Sequence, residues 1–326
     1  MSGGLVVRAT TADDHPAVLD LLAASLGWSE GEGLAEYFAW KHRANPLGPS
    51  PEWVAEVDGR IAGYRTFLRW EFEDGAGRTL RAVRAVDTAT HPDFRGRGVF
   101  RELTLAAVDA MTAEGVDFVF NTPNDQSRPG YLKMGWHTIG RLPAAVRVRG
   151  PRGAFRLLGA RVAAERRPLP GGGGVAAPDL LADPRLDALL ARLGPATGLR
   201  TRRTAAHLRW RYGHPPLGYR AIALADDPTD GLVVYRVRRR GTAREAAVCE
   251  VLVPDSDPRA IAGLLRAVRR ATGADHLIRL TAPGPRAGFV PVPRLGPVLT
   301  WRALAAPDRP PARAEWNLAL GDVELL

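Results

Sequence analysis

The chain has 326 residues, of which 45% are hydrophobic and 25% are charged, which is typical of a globular protein long enough for two domains. Its net charge is +10, but the positive charge is nearly all arginine spread along the whole chain, so it does not favour a nucleic-acid partner. The single cysteine, Cys249, excludes an intramolecular disulfide, and the seven histidines show no metal-ligand spacing, so we expect no metal.

The sequence also argues against a membrane protein. No apolar run approaches the roughly 20 residues that a membrane span needs. The N-terminal residues lack the pattern of a secretory signal, so we expect a cytoplasmic protein. Composition leaves the oligomeric state open.

The first 145 residues alternate between strand-like and helix-like patterns, which predicts a mixed α/β sheet, not an all-parallel one. The Asp58-Gly59 pair is the turn signal of a hairpin. In chain order, the pattern predicts a strand at 5–9, helices at 15–26 and 33–43, hairpin strands at 53–57 and 61–72, a strand at 82–90, a long amphipathic helix at 99–114, a strand at 116–121, a short helix at 127–134 and a strand from 136.

Residues 146–198 are rich in glycine, proline and arginine, and the run from Gly171 to Gly174 does not suit a regular element. This stretch is predicted to be a linker with short helices. A second globular domain is expected at 199–326, after a first domain at 1–145.

The two globular parts repeat each other in order. Trp40-Lys41 and Pro46-Leu47-Gly48 return as Trp210-Arg211 and Pro216-Leu217-Gly218 at the same interval. The segments after Asp58-Gly59 and Asp230-Gly231 are also alike, and so are 114–119 and 272–277. Ordered matches over some 80 residues indicate a tandem duplication.

One segment of the first part carries chemistry. Residues 86–100 read as a strand, a turn with alternating glycines and the start of a long helix. Glycines let the backbone approach a ligand, and a helix N-terminus attracts anions, so this turn suits a phosphate or pyrophosphate. It is neither a P-loop nor the dinucleotide fingerprint, and on this evidence alone an ordinary strand-to-helix turn stays an alternative.

The wider context resembles the GNAT superfamily of N-acyltransferases. Arg95-Gly96-Arg97-Gly98-Val99-Phe100 resembles motif A of that family, which reads Arg/Gln-x-x-Gly-x-Gly/Ala. The run from Asn121 to Trp136, ending in Tyr131-x-x-x-Gly135-Trp136, is similar to the family's next segment. Phe100 departs from the pattern, because the family usually has Gly or Ala there.

The resemblance implies two GNAT-like domains in tandem and acetyl-CoA, or another short acyl-CoA, as co-substrate. The acyl-CoA is implied to lie where the strands at 82–90 and 116–121 diverge. The binding residues carried over from the family are Thr88, Ala89 and Thr90 for the pantetheine and acyl carbonyl, Arg95, Gly96, Arg97, Gly98, Val99 and Phe100 for the pyrophosphate, and Asn124 and Ser127 for the pantetheine arm.

The reaction implied is attack of an amine on a thioester, which needs a free amine, a donor at the developing oxyanion and an acid for the departing thiolate. Tyr131 matches the family's general acid, and a phenol, with an ordinary pKa of about 10, suits that task. Packing under the next strand is its structural alternative. Asp87 is the candidate base, but it needs a bulge in its strand to face the site; otherwise water relays the proton.

The second copy is expected to be degenerate. Where the glycine turn should fall it has Pro254-Asp255-Ser256-Asp257-Pro258, and like charge would repel a pyrophosphate there. This half is expected to brace the first and shape the acceptor pocket. The leading hypothesis is acetyl transfer to the primary amine of a small molecule; the alternatives are a protein or peptide N-acetyltransferase and a non-catalytic acyl-CoA sensor or scaffold.

Overall fold

The structure, a computed structural model, describes residues 4–26, 33–158, 162–280, 287–305 and 309–324. The strands in these parts are β1 (Val6–Ala9), β2 (Glu52–Val57), β3 (Arg60–Glu73), β4 (Thr79–Thr90), β5 (Phe118–Asn121), β6 (His137–Arg141), β7 (Ala144–Val148), β8 (Val175–Ala176), β9 (Arg200–Thr201), β10 (Arg220–Leu224), β11 (Asp227–Arg240), β12 (Ala243–Leu252), β13 (His276–Leu280), β14 (Val290–Pro291) and β15 (Val298–Ala303). The α-helices are α1 (His15–Leu26), α2 (Leu34–His42), α3 (Val99–Ala113), α4 (Arg128–Lys133), α5 (Gly150–Leu158), α6 (Ala177–Leu181), α7 (Leu186–Ala191), α8 (Ala205–Tyr212), α9 (Pro258–Thr272) and α10 (Leu320–Val323).

The chain forms two compact units that are not contiguous in sequence. The first unit contains residues 1–72, 79–140 and 298–313, and the second contains 73–78, 141–297 and 314–326. Each unit has its own mixed sheet, in the order β1-β2-β3-β4-β5-β15-β6 in the first and β14-β7-β13-β12-β11-β10-β8 in the second. The α/β fold with mixed sheets agrees with the sequence pattern.

The elements of the first unit follow the predicted order, with shifts of one to three residues at their ends. Asp58 and Gly59 both have positive φ, at 50° and 74°, as the hairpin turn between β2 and β3 requires. The apolar stripe of α3, with Leu103 and Ala107 at its centre, is fully buried against β2, β3 and β4. α1 and α2 form a second cluster with Tyr64 and Ala89, so both faces of the sheet are covered.

β4 and β5 stop pairing near the predicted site. They pair in parallel at Ala82–Phe118, Val83–Val119 and Arg84–Phe120. β5 ends one residue later at Asn121, whereas β4 continues to Thr90. On its other side β5 pairs with β15, in antiparallel register from Thr300–Asn121 to Ala303–Phe118. The last five residues of β4 therefore extend beyond the end of their parallel neighbour.

The second unit repeats this strand–helix–strand arrangement. β12 and β13 pair in parallel from Glu245–His276 to Ala247–Ile278, and α9 lies between them in the chain. One detail matches closely: the Asp117 carboxylate accepts the Arg81 amide at 2.7 Å, and the Asp275 carboxylate accepts the Arg244 amide at 2.8 Å. The same hydrogen bond thus fixes the start of each parallel pair.

The sequence match between Asp58-Gly59 and Asp230-Gly231 does not extend to the position of the turn. The hairpin between β10 and β11 turns at Ala225 and Asp226, with φ of 48° and 62°, and Asp230-Gly231 lies inside β11. Alanine rarely adopts positive φ, so the turn at Ala225 and Asp226 carries no clear sequence signal.

Candidate active site

The glycine turn leaves the N-terminus of α3 open. Gly96 and Gly98 have φ of 77° and 81°, a left-handed conformation that favours glycine, and a Cβ built at either would meet no heavy atom within 4 Å. Gly98 is the N-cap of α3 and has no side chain with which to cap the first-turn amides. The N–H groups of Val99 and Phe100 have no acceptor within the helix, so they are available to an anion.

The corresponding helix of the second unit is closed in the same place. The Asp257 carboxylate accepts the amides of Arg259 and Ala260 at 2.9 and 3.4 Å. A carboxylate of the protein therefore occupies the position that an anionic ligand would take. The two helices, each of 15 residues, differ in this respect at their N-termini.

Phe100, the departure from the family motif, is accommodated by a glycine. Its ring packs at right angles to the Tyr131 ring, with centroids 5.3 Å apart. A Cβ on residue 130 would come within 2.8 Å of Phe100 Cε1, so the ring lies where only Gly130 leaves room. The ring thus packs aside from the turn and against the candidate acid.

Tyr131 is buried and held from two sides. Its side chain is only 4% exposed, and its ring also packs on Trp136 at 5.1 Å between centroids. Its hydroxyl oxygen accepts a hydrogen bond of 2.7 Å from Arg65 Nη1 on β3. The same guanidinium nitrogen donates to Thr88 Oγ1 on β4. These contacts bring together β3, the overhanging end of β4 and α4.

Asp87 lies at an irregular position of β4, and its predicted role as a base stays a prediction. Its φ is 42°, left-handed for a non-glycine residue within a strand. The Asp87 carboxylate points toward α2, where Oδ2 lies 2.7 Å from Lys41 Nζ and 2.9 Å from His42 Nε2. Thr88, the next residue, lies instead beside Arg65. Asp87 and Tyr131 therefore belong to the two opposite faces of β4.

Electrostatics determines the charge states of this cluster. Burial raises the pKa of a carboxyl group, but the Lys41 ammonium and His42 outweigh it and hold the pKa of Asp87 at about 2. Burial lowers the pKa of His42, so its ring is neutral. Because a carboxylate only accepts, His42 Nε2 carries the hydrogen toward Asp87, and Nδ1 accepts from Ser50 Oγ at 3.0 Å. Lys41 is then the counter-ion.

The remaining predicted residues lie around the end of β4 and the start of α3. Ala89 is buried against α1 and α2, whereas Arg95 and Arg97 are exposed. Asn124 and Ser127 meet, with Asn124 Oδ1 2.9 Å from both the amide and the hydroxyl of Ser127. Their contact shapes the turn before α4, and a role toward a ligand stays a prediction.

Comparisons with known proteins address the family and the fold. Residues 6–139 match the family model of the acetyltransferase (GNAT) domain. This match assigns a GNAT domain to residues 6–139, the first part of the chain. The domain has the fold of an N-acyltransferase, and GNAT domains use acyl-CoA.

Solved structures extend the likeness in fold beyond the matched GNAT domain. A conserved protein of Enterococcus faecalis V583, described as a probable N-acyltransferase, aligns over 93% of this chain and 73% of its own, with a TM-score of 0.68 and 13% identity. The GCN5-related N-acetyltransferase of Kribbella flavida aligns over 94% of this chain and 72% of its own, with a TM-score of 0.63 and 18% identity. Eis1 of Mycobacterium abscessus aligns over 92% of this chain and 74% of its own, with a TM-score of 0.57 and 14% identity. No curated protein matches the chain by sequence.

Sequence reasoning missed three residues of the GNAT domain's cluster: Arg65, Lys41 and His42. Arg65 lies in an ordinary hydrophobic strand and gave no signal of its own. Lys41 gave a weak signal, since it is one of only two lysines beside 43 arginines, 45 basic residues in all.

Among the helices that the structure describes, none is long and apolar enough to cross a membrane.

Proposed function

We propose that this chain transfers an acyl group, acetyl by default, from acyl-CoA directly to the primary amine of a small molecule. The observation that carries the proposal is the open N-terminus of α3 next to the overhanging end of β4, with a buried tyrosine beside it. An anion-binding turn, an unpaired strand edge and a proton donor are the three parts that a thioester-using acyltransferase needs.

In this proposal the turn binds the diphosphate of acyl-CoA and the strand edge binds its arm. The first-turn amides of α3 supply donors to the phosphates, and the exposed arginines before them supply positive charge. The residues assigned to these contacts are Arg95, Gly96, Arg97, Gly98, Val99 and Phe100 for the phosphates, Thr88, Ala89 and Thr90 for the pantetheine and acyl carbonyl, and Asn124 and Ser127 for the arm.

The chemistry proceeds by direct attack. The amine nitrogen forms a bond to the acyl carbon, the carbon–sulfur bond breaks, and the Tyr131 hydroxyl gives its proton to the departing sulfur. The surplus proton of the amine passes to water. Tyr131 is assigned as general acid because its hydroxyl is buried, oriented by Arg65 and next to the end of β4.

The low pKa of Asp87 argues against a role as the general base. A carboxylate with a pKa of about 2 holds a proton poorly near neutral pH, so it is a weak base. We therefore assign to Asp87 the acceptance of a hydrogen bond from the attacking amine, with water carrying the proton away. Its position on the face of β4 opposite Tyr131 suits an amine that enters from one side while the thiolate leaves on the other.

We propose that the second unit binds no acyl-CoA and is a degenerate copy. Asp257 caps α9 in the place where the diphosphate would bind. Calorimetric titration of CoA into the protein should then show one site per chain, and two equal sites would overturn this assignment. The limits 1–145, 146–198 and 199–326 stay predictions, as do the cytoplasmic location and the lack of a nucleic-acid or membrane partner.

A screen with acetyl-CoA tests the reaction. Release of free thiol is followed with polyamines, aromatic amines, amino acids and lysine peptides as acceptors. Turnover with a small amine supports the proposal, turnover with peptides alone favours protein acetylation, and CoA binding without turnover favours a sensor. Tyr131→Phe should lose roughly 100-fold or more in kcat while still binding CoA, and unchanged turnover would remove Tyr131 from the mechanism.

A further inference from the structure

Arg65 is a fully buried arginine surrounded by aromatic rings. Its side chain is 0% exposed, and its guanidinium carbon lies 4.7 Å from the ring centroid of Phe67, 5.3 Å from that of Tyr131 and 6.0 Å from that of Phe100. Cation–π contacts of this kind stabilise a desolvated charge in part. The guanidinium lies within the first unit, between β3 and the side chains of α3 and α4.

The hydrogen-bond partners of this cation are two neutral hydroxyls. Nη1 donates to Tyr131 Oη at 2.7 Å and to Thr88 Oγ1. Among the residues that the structure describes, no carboxylate pairs with Arg65, and its Nε and Nη2 find no acceptor. Burial of an unpaired charge destabilises a fold, so a purely structural arginine is not expected here.

An arginine of the second unit shows the usual solution. Arg236 is also 0% exposed and also has an unsatisfied Nε, but its Nη1 lies 3.5 Å from the Glu324 carboxylate. There the buried charge has a counter-ion. At Arg65 the positive charge is directed at the tyrosine hydroxyl instead.

The direction of the hydrogen bond has a chemical consequence. A guanidinium only donates, so Tyr131 Oη is the acceptor and its own hydrogen must point away from Arg65. When that hydrogen leaves, the oxygen keeps both the hydrogen bond and the neighbouring positive charge. The contact thus aims the proton and stabilises the negative oxygen that remains.

We propose that Arg65 is the positioning residue for Tyr131: it orients the hydroxyl for proton donation to the leaving sulfur and stabilises the phenolate formed. The inference rests on the proposed function, because it assigns Arg65 to the step in which Tyr131 is the acid. The proton passes from Tyr131 to sulfur as the carbon–sulfur bond breaks, and Tyr131 regains a proton from water after the products leave. Arg65 stays charged throughout.

The test is a double-mutant cycle on the full chain, with acetyl-CoA and the best amine of the screen. Arg65→Met should lower kcat about 10- to 100-fold and leave KM for acetyl-CoA within about twofold. Arg65→Lys should recover part of the loss, because it keeps the charge. In the Tyr131→Phe background, Arg65→Met should cause no further loss, since the residue through which it acts is gone.

Arg236→Lys is the matched control, because it changes an equally buried arginine away from the proposed acid. It should keep the wild-type kcat. The inference is overturned if Arg65→Met leaves kcat unchanged, if its effect multiplies with that of Tyr131→Phe, or if Arg236→Lys lowers kcat equally.

A separate readout does not depend on turnover. The side-chain ¹⁵N–¹H signal of Arg65 should move in Tyr131→Phe, and an unmoved signal would contradict the contact itself. A wild-type protein that binds CoA and turns over, with Arg65 variants equal to it, sinks this inference alone. A wild type without CoA binding sinks the proposed function as well.

Discussion

Asp87 and Lys41 form a buried ion pair, and mutations can distinguish its contribution to folding stability from its contribution to turnover. Asp87→Asn leaves the Lys41 ammonium, 1% exposed, without its counter-ion, and breaking such a pair costs roughly 3–5 kcal/mol. Lys41→Met in the same chain removes the buried ammonium itself, so Asp87→Asn/Lys41→Met should regain most of the lost stability. Thermal denaturation of the three proteins measures this.

Activity should not follow stability in that series. If Asp87 accepts a hydrogen bond from the amine, the double variant stays impaired in turnover although it is folded. A double variant with full activity would remove Asp87 from the site and leave it a structural residue.

Glu250 of the second unit gives a pH dependence of known sign. It lies 3.0 Å from Arg203, yet burial outweighs that contact and raises its pKa to about 7. Since the pKa in the unfolded chain is about 4.3, the folded state holds the proton more tightly. This contribution to stability is complete below the unfolded value and is lost as the pH rises through about 7.

Glu250→Gln should therefore reduce the pH dependence of the unfolding free energy. From about pH 5 to about pH 8, the wild type should lose up to about 3 kcal/mol of unfolding free energy relative to the variant. Thermal melts of both proteins over this range provide the comparison. Parallel curves would mean that Glu250 is ionised throughout and held by Arg203.

At the scale of elements, α3 and α9 are equivalent helices of the two units that differ at the N-cap. One helix begins at an uncapped glycine and the other at a capping aspartate. Gly98→Asp would give α3 the carboxylate that closes α9, and Gly98→Asn would add the same shape without the charge. Asp and Asn both tolerate the left-handed conformation better than most residues, so stability should change similarly in the two variants.

CoA binding should separate the two variants. The carboxylate would occupy the first-turn amides and repel the diphosphate, so Gly98→Asp should bind CoA at least tenfold more weakly than Gly98→Asn. Calorimetry of both variants measures the difference. Equal affinities would show that the α3 N-terminus does not contact phosphate.

The sequence predicted local elements better than it predicted which strands pair. Periodicity placed α1 and α3 almost to the residue, because burial of one helix face imposes a pattern that reads from the chain alone. The hydrogen bonds of Arg65 and the ion pair of Lys41 could not be predicted, since both residues contact their partners only after distant segments fold. The turn at Ala225 and Asp226, which the sequence did not predict, shows the same limit for hairpins.

β15 is the largest feature that the sequence could not reveal. It is a short strand whose first paired residue, Thr300, lies 179 positions after its partner Asn121. Nothing in residues 298–303 indicates that their partner belongs to the first unit. The motif residues, in contrast, are near each other in sequence, so they could be named from the chain alone, and their roles toward a ligand stay predictions.

At the scale of the whole molecule, the GNAT domain depends on the far end of the chain. β15 lies between β5 and β6 in the sheet, and Leu299 and Trp301 are buried, with Trp301 packed 6.4 Å from Phe118. Burying two such side chains contributes roughly 3–6 kcal/mol, a large share of the stability of a domain. A fragment of residues 1–145 should therefore fail to unfold cooperatively, whereas the same fragment with 298–313 appended through a flexible Gly/Ser linker should regain a cooperative melt by circular dichroism. A fragment of 1–145 that melts as sharply as the extended one would show that β15 is dispensable and that the GNAT domain is complete without it.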